Sequence, residues 1–219
     1  MMKKLTLFFL VTIFFALSGL SYAEPYFSIY GGVSAPEDLD WKDNVGINSA
    51  GTIELDNNAT FGLKAGHWFS EGDAPFIGFE LDANVQFPRW NGITTTKALG
   101  VTSTPTSVTA KADSVLVSGI VNLLLRYPQG PIRPYAGAGG GFAFWAVGDQ
   151  TIPTGTFNSE TDGAFAWDIL AGIDLHASDM ISLFAEYKYF GANFEFPDSI
   201  GMDIDYRASL FYGGIIFHY

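Results

Sequence analysis

The sequence predicts an all-β fold: an eight-stranded antiparallel up-and-down barrel that crosses a membrane with its strands. Three observations predict it. Apolar and polar residues alternate in long segments, short and long connections alternate between them, and charged residues make up only 16% of the 219 residues. Globular chains usually contain about 25% charged residues. The composition therefore separates this chain from a typical soluble enzyme.

The chain begins with a predicted export signal. Lys3 and Lys4 precede an apolar run over residues 5 to 17, and residues 21 to 23 form a small-x-small cleavage site. A membrane-spanning helix is the alternative, but the run is shorter than the roughly 20 apolar residues that such a helix needs. We expect a signal peptide over residues 1 to 23, cleavage after Ala23, export by the Sec pathway and a barrel domain over residues 24 to 219.

The clearest predicted strand covers residues 76 to 87, where apolar side chains occupy one face and polar or small residues the other. Seven further segments alternate with varying clarity: residues 26 to 34, 59 to 69, 114 to 127, 132 to 145, 164 to 176, 180 to 190 and 206 to 219. The segments are long enough for tilted strands, which need roughly 9 to 11 residues to cross a bilayer.

The connections alternate between long and short. The long ones cover residues 35 to 58, 88 to 113, 146 to 163 and 191 to 205, and the short ones residues 70 to 75, 128 to 131 and 177 to 179. An up-and-down barrel then has every short turn at one end, as in outer-membrane barrels with periplasmic turns and extracellular loops. The second long loop is the best candidate for a surface contact, because long loops on rigid scaffolds often carry function.

Alternation alone fits either a soluble lipocalin-like barrel with an apolar interior or the inverted arrangement. The polar faces carry glycines and a few opposed charges, and aromatic residues lie near the ends of the apolar faces, which favours the inverted barrel. In its narrow lumen every charge needs a partner. We expect Lys64 beside Glu80 and Asp168 opposite Lys188. The complete expected structural plug is Lys64, Glu80, Asp82, Asp168, Glu186 and Lys188.

Four short motifs lie in the predicted strands: RPYAGAG at 133 to 139, AGID at 171 to 174, EYKY at 186 to 189 and GGIIFHY at 213 to 219. They resemble the eight-stranded outer-membrane barrel family, similar to the transmembrane domain of OmpA-type proteins. The resemblance implies that Tyr219, with Phe217 and Ile215, belongs to the signal read by the barrel-assembly machinery. OmpA-type proteins often add a peptidoglycan-binding domain, which we do not expect here because the chain stops at the last strand.

Other residue sets could carry chemistry. His176, Ser178 and Glu186 could hydrolyse an ester, but Ser178 lies in a predicted turn, where Ser-Asp is common. His67, His176 and His218 could bind zinc, but the alternation places His67 on the outer face and the other two inside. Acidic loop residues could bind calcium, although their spacing matches no calcium motif: Glu37, Asp38, Asp40, Asp43, Asp198, Asp203 and Asp205. We expect no metal and no cofactor.

The net charge of -12 argues against a nucleic-acid partner, and the absence of cysteine excludes disulfides and thiolate metal sites. We predict a non-enzymatic, monomeric outer-membrane protein with an envelope-structural role and surface interactions through its extracellular loops. Expected partners are outer-membrane lipid and lipopolysaccharide, the barrel-assembly machinery, and a host or surface ligand. The alternatives are a lipid-modifying barrel enzyme, of lipid A deacylase or acyltransferase type, and a small gated channel or carrier.

Overall fold

The computed structural model describes residues 23–43, 50–69, 76–98, 101–108, 112–127, 129–148, 150–152, 155–157, 160–196 and 202–219. Their strands are β1 (Ala23–Pro36), β2 (Leu39–Asp43), β3 (Ala50–Asp56), β4 (Asn58–Phe69), β5 (Phe76–Gln86), β6 (Arg89–Ala98), β7 (Val101–Val108), β8 (Ala112–Arg126), β9 (Ile132–Val147), β10 (Gln150–Ile152), β11 (Gly155–Phe157), β12 (Glu160–His176), β13 (Ile181–Phe196) and β14 (Met202–His218). Within these ranges, no helix is long and apolar enough to cross a membrane. The predicted signal peptide up to residue 22, and the predicted turn at 70 to 75, lie outside the described residues.

Eight of these strands close into an antiparallel barrel, as the sequence predicted. The order around the wall is β1, β4, β5, β8, β9, β12, β13 and β14. The seam closes where β14 pairs with β1, from Tyr26↔His218 to Pro36↔Ala208. Closure pairs the backbone on both sides of every wall strand, which a wall surrounded by lipid requires.

The alternation of residue types determines where each side chain points. On β5, Ile77, Phe79 and Leu81 point outward and are about half exposed, whereas Glu80 and Asp82 are buried in the lumen. The other wall strands follow the same rule, so the exterior is an apolar band with many aromatic rings. An apolar surface of this extent is typical of a wall that faces lipid. The inverted arrangement is therefore confirmed.

The wall continues beyond the predicted strands at the end with the long connections. There β2 pairs with β14, β3 pairs with β2 and β6, and β6 pairs with β8. β2, β3 and β6 thus take the places of β1, β4 and β5, and β7 forms a hairpin with β6. We call this end the upper barrel and the end with the short turns the lower barrel. The sequence predicted only long connections here.

Two hairpin registers differ from the predicted ones by two residues. Lys64 pairs with Asp82, and Glu80 lies diagonally across from Lys64. Asp168 and Lys188 are also diagonal neighbours. Four residues separate β12 from β13, one more than predicted, and this extra residue shifts the pairing of the two strands by two residues. Side chains alternate with a period of two, so a shift of two residues leaves each one on its predicted face.

Candidate functional site

The lower barrel holds a cluster of charged side chains inside the lumen. All six residues of the expected plug lie there and are buried, and we call them the charge network: Lys64, Glu80, Asp82, Asp168, Glu186 and Lys188. They come from β4, β5, β12 and β13, which lie in two separate parts of the wall. The structure therefore brings into direct contact residues that are up to 122 positions apart in the chain.

The two lysines cross the lumen in opposite directions. Lys64 Nζ, on β4, lies 2.7 and 2.9 Å from the two carboxylate oxygens of Glu186 on β13 and 3.0 Å from Glu80 Oε1. Lys188 Nζ, on β13, contacts Asp82 Oδ2 on β5 and lies 2.7 Å from Asp168 Oδ2. Each ammonium group thus bridges two carboxylates, and the two bridges tie distant wall strands together.

Four carboxylates face only two ammonium groups, and neutral donors stabilise the excess negative charge. Hydroxyl groups donate to carboxylates particularly strongly, because the acceptor is charged. The donors are Tyr26 to Glu80 at 2.7 Å, Tyr30 to Asp82 at 2.7 Å, Tyr135 to Glu186 at 2.7 Å, Tyr212 to Glu186, and Asn122 to Glu80 at 3.2 Å. With these donors, all eight wall strands contribute to the network.

Glycines on neighbouring strands make room for these tyrosines. A methyl group on the glycine would meet the tyrosine ring or hydroxyl far inside van der Waals distance. The added methyl carbon would lie 2.3 Å from the Tyr26 ring at Gly66, 2.2 Å from the Tyr30 hydroxyl at Gly62, and 2.5 Å from the Tyr135 ring at Gly172. Each tyrosine is paired directly with its glycine across the strands. The inward glycines therefore set the positions of the donors.

A second polar cluster fills the lower mouth of the lumen. Arg126 Nη2 lies 2.6 Å from Glu24 Oε2, and its Nη1 lies 3.3 Å from Asp174 Oδ2. The guanidinium carbon lies 4.3 Å from the centre of the Trp68 ring, a cation–π contact. The alternation of residue types in the sequence predicts that Arg126 and Asp174 face inward. It does not predict that Glu24 contacts Arg126.

At the same mouth, a chain of polar contacts crosses the seam of the barrel. Glu24 Oε1 on β1 lies 3.0 Å from His218 Nδ1 on β14. Ser182 Oγ on β13 lies 2.9 Å from His218 Nε2 and 3.1 Å from His176 Nδ1 on β12. We call these four residues the mouth latch. They connect four consecutive strands of the wall.

The hydrolytic set considered from the sequence is not assembled. Ser178 is exposed in a turn, and its Oγ accepts a hydrogen bond from the N–H of Ile181 at 3.2 Å. Glu186 belongs to the charge network, and the imidazole of His176 contacts Ser182 instead. Sequence reasoning missed Ser182, although the phase of β13 places it on the inward face.

The residues considered as metal ligands are also separated. His67 packs against Phe69 with ring centres 4.8 Å apart, while His176 and His218 face each other in the mouth at 5.5 Å. Among the acidic loop residues, Glu37 accepts a hydrogen bond from Tyr189. Asp198 lies outside the described residues. Within the described part of the chain, no three His, Cys, Asp or Glu residues are arranged to hold a metal ion.

An apolar core fills the lumen of the upper barrel. We use the name apolar core for its seven largest side chains, which are fully buried: Leu39, Ile53, Leu116, Trp145, Phe190, Phe194 and Tyr206. The ring centre of Trp145 lies 5.3 Å from that of Phe194 and 5.2 Å from that of Tyr206. Leu39 and Ile53 reach this core from β2 and β3. The inserted strands thus complete a core that the predicted strands alone would leave open.

The three residues of the expected assembly signal alternate along the end of the chain. Ile215, Phe217 and Tyr219 all point outward and are exposed on the lower barrel. Ile215 and Phe217 belong to β14, which forms the seam with β1.

Comparison with solved structures places this fold among outer-membrane barrels. OprG from Pseudomonas aeruginosa is 15% identical, and the match covers 90% of this chain and 97% of that chain with a TM-score of 0.51. The outer membrane protease OmpT from Escherichia coli is 6% identical, over 90% of this chain and 97% of that chain, with a TM-score of 0.54. No family model and no curated protein matches the sequence. These likenesses establish the fold of the chain.

Proposed function

We propose that this chain is an outer-membrane protein with a sealed lumen, that it acts non-enzymatically in the structure of the envelope, and that it presents its upper hairpins to surface partners. The proposal of a sealed lumen rests on one observation: side chains fill the lumen at two levels, the charge network below and the apolar core above. A barrel of eight strands is narrow enough for side chains to fill its interior. Such a lumen favours a structural role over passage of a solute.

The location rests on the apolar exterior, on the likeness to outer-membrane barrels and on the export signal predicted over residues 1 to 23. The short turns then face the periplasm and the upper barrel faces outward. Outer-membrane lipid and lipopolysaccharide surround the wall. The β2–β3 and β6–β7 hairpins remain available to a host or surface ligand.

Intact cells that carry the full chain test this proposal. External protease is expected to cut only in the upper hairpins, while the folded barrel keeps its heat-modifiable gel mobility. A variant that lacks residues 96 to 105, the tip of the β6–β7 hairpin, is expected to restore detergent resistance to cells lacking the protein but not their adherence to surfaces. Cleavage at residues 70 to 75 in intact cells would invert the topology, and full adherence of the truncated variant would remove the role of this hairpin.

The likeness to a protease does not favour an enzymatic role, because a structure with 6% sequence identity supports a similar fold and not a similar activity. The separation of Ser178 from Glu186 likewise gives no support to a lipid A deacylase. Mass spectrometry of lipid A from cells with and without the protein discriminates these classes. Unchanged acylation is expected, and altered acylation would overturn the non-enzymatic proposal.

We further propose that Ile215, Phe217 and Tyr219 are read by the barrel-assembly machinery, which their outward, alternating placement supports. Tyr219→Ala is expected to lower the amount of folded barrel in cells while leaving refolding of the purified chain in detergent unchanged. Phe211→Ala, which changes an outward aromatic residue of β14 farther from the end of the chain, is the matched control. Equal losses in the two variants would contradict the proposal.

A further inference from the structure

A small cavity lies inside the lumen between the charge network and the polar cluster of the lower mouth. Lys64 and Glu80 line it from the charge network, and Asp174, which is paired with Arg126, lines it from the mouth cluster. Ser28 on β1 also contributes to the lining. The cavity therefore lies between two sets of charged groups in the lower barrel.

The size of the cavity suits a single water molecule. The space that the centre of a water molecule can occupy is about 10 Å³. A site needs roughly 10 to 15 Å³ of this space to hold one water. Rings and apolar side chains, among them Trp68, Leu124 and Phe184, restrict the space further. Water or a small ion is therefore the class of ligand that fits.

Two oxygen atoms of the lining residues, Ser28 Oγ and Asp174 Oδ1, are buried without a hydrogen-bond partner in the described part of the chain. Ser28 is 0% exposed and Asp174 is 2% exposed. Buried polar atoms are almost always paired, either with protein or with ordered water. An ionised carboxylate oxygen can only accept, whereas a hydroxyl group can donate or accept. A ligand that pairs with both atoms must therefore donate a hydrogen bond to Asp174.

We propose that the cavity binds one water molecule, which donates hydrogen bonds to Asp174 Oδ1 and Glu80 and accepts one from Ser28 Oγ. Three hydrogen bonds are typical of a buried water. Glu80 Oε2 accepts from Tyr26 at 2.7 Å and has a second lone pair for the water. The Lys64 ammonium in the lining repels a cation but not a neutral donor. The water thus connects the mouth cluster to the charge network.

A crystal structure of the purified full chain, at a resolution that shows ordered water, tests the site directly. One water is expected within hydrogen-bond distance of Ser28 Oγ, Asp174 Oδ1 and the Glu80 carboxylate. A cavity without electron density would overturn the proposal. Crystals grown with thallium(I) as the monovalent cation are expected to show no anomalous peak in the cavity. A peak at this position would reveal a cation site and would likewise overturn the water site.

Urea unfolding of Ser28→Ala tests the same site in lipid vesicles. Loss of the hydrogen bond to the water is expected to lower the equilibrium constant of folding about fivefold. A hydroxyl group without a partner would give the opposite sign, because alanine removes a buried polar group that nothing satisfies. Ser34→Ala is the matched control, because Ser34 lies on the same strand, is also fully buried and donates to Gln86 at 2.8 Å. Losses of similar size are expected in the two variants, and unchanged or higher stability of Ser28→Ala alone would contradict the water site.

Discussion

At the scale of single residues, Lys64 is the most connected group of the charge network. It contacts Glu186 and Glu80 within 3.0 Å and lies 3.8 Å from Asp82. Its side chain is only 2% exposed, so water cannot replace these contacts. A buried charge that loses its partner is destabilising by about 3 to 5 kcal/mol. The cost arises because the carboxylates remain buried, away from water and without the ammonium group that paired with them.

Lys64→Met is therefore expected to reduce the free energy of unfolding by about 3 to 5 kcal/mol. Urea unfolding of the barrel refolded in lipid vesicles measures this loss. Adding Glu186→Gln is expected to recover part of it, because one unpaired carboxylate becomes neutral. Arg207→Ala removes a surface ion pair and is expected to leave stability nearly unchanged. Unchanged stability in Lys64→Met would rule out a structural role for the network.

The sequence predicts which side chains enter the lumen, because a residue's face depends only on the period of two. It does not predict which of them meet across it. The contact of Lys64 with Glu186 joins strands that are not neighbours in the wall, so it depends on closure and on the tilt of the strands. Glu24 was missed for a related reason, since it is the first inward residue of its strand and its partners lie on distant strands.

The glycine beneath each tyrosine gives a second prediction about single residues. Gly62→Ala would place a methyl group 2.2 Å from the Tyr30 hydroxyl, which donates to Asp82. Overpacking of this kind is expected to cost about 1 to 3 kcal/mol. Gly119 points outward, with nothing within 4 Å of an added methyl group, so Gly119→Ala is the matched control. Equal effects of the two substitutions on urea unfolding would contradict this account of the lumen.

At the scale of elements, the seam between β1 and β14 is held at its lower end by the mouth latch. Ser182 occupies the centre of the latch, because both imidazoles contact its hydroxyl. Ser182→Ala leaves two ring nitrogens without this partner, and an unsatisfied buried polar group costs about 1 to 3 kcal/mol. Faster hydrogen exchange is expected at the lower ends of β1, β13 and β14. Ser209→Ala, on the outer face of β14, is the control, and equal exchange in both variants would contradict the latch.

The wall elements could be predicted because each has one lipid-facing side and therefore a clear alternation. β2 and β3 could not, because the upper barrel lies beyond the lipid band and exposed residues such as Asp40 and Glu54 are charged. In β3, Ile53 is buried and Leu55 is partly buried on the same face, and Leu39 is buried in β2. Short strands with so few apolar residues resemble ordinary polar connections in a sequence.

At the scale of the whole molecule, two layers of side chains fill the lumen in series, and the proposed seal rests on these two barriers. The charge network holds the lower barrel through ion pairs, and the apolar core fills the lumen of the upper barrel with large buried side chains. An ion that passed one barrier would still meet the other. The two barriers also depend on different residues, so a single substitution that weakens one leaves the second in place.

The barrel is therefore expected to show no stepwise ion conductance in planar bilayers. Trp145→Ala alone, and Lys64→Ala with Lys188→Ala, are each expected to remain closed, because one barrier survives in each variant. All three substitutions together are expected to produce conductance, provided that heat-modifiable mobility shows a folded barrel. Because the combined variant leaves four buried carboxylates without lysine partners, its open state is expected to prefer cations. Stepwise conductance of the unchanged protein would contradict the sealed lumen and favour a channel.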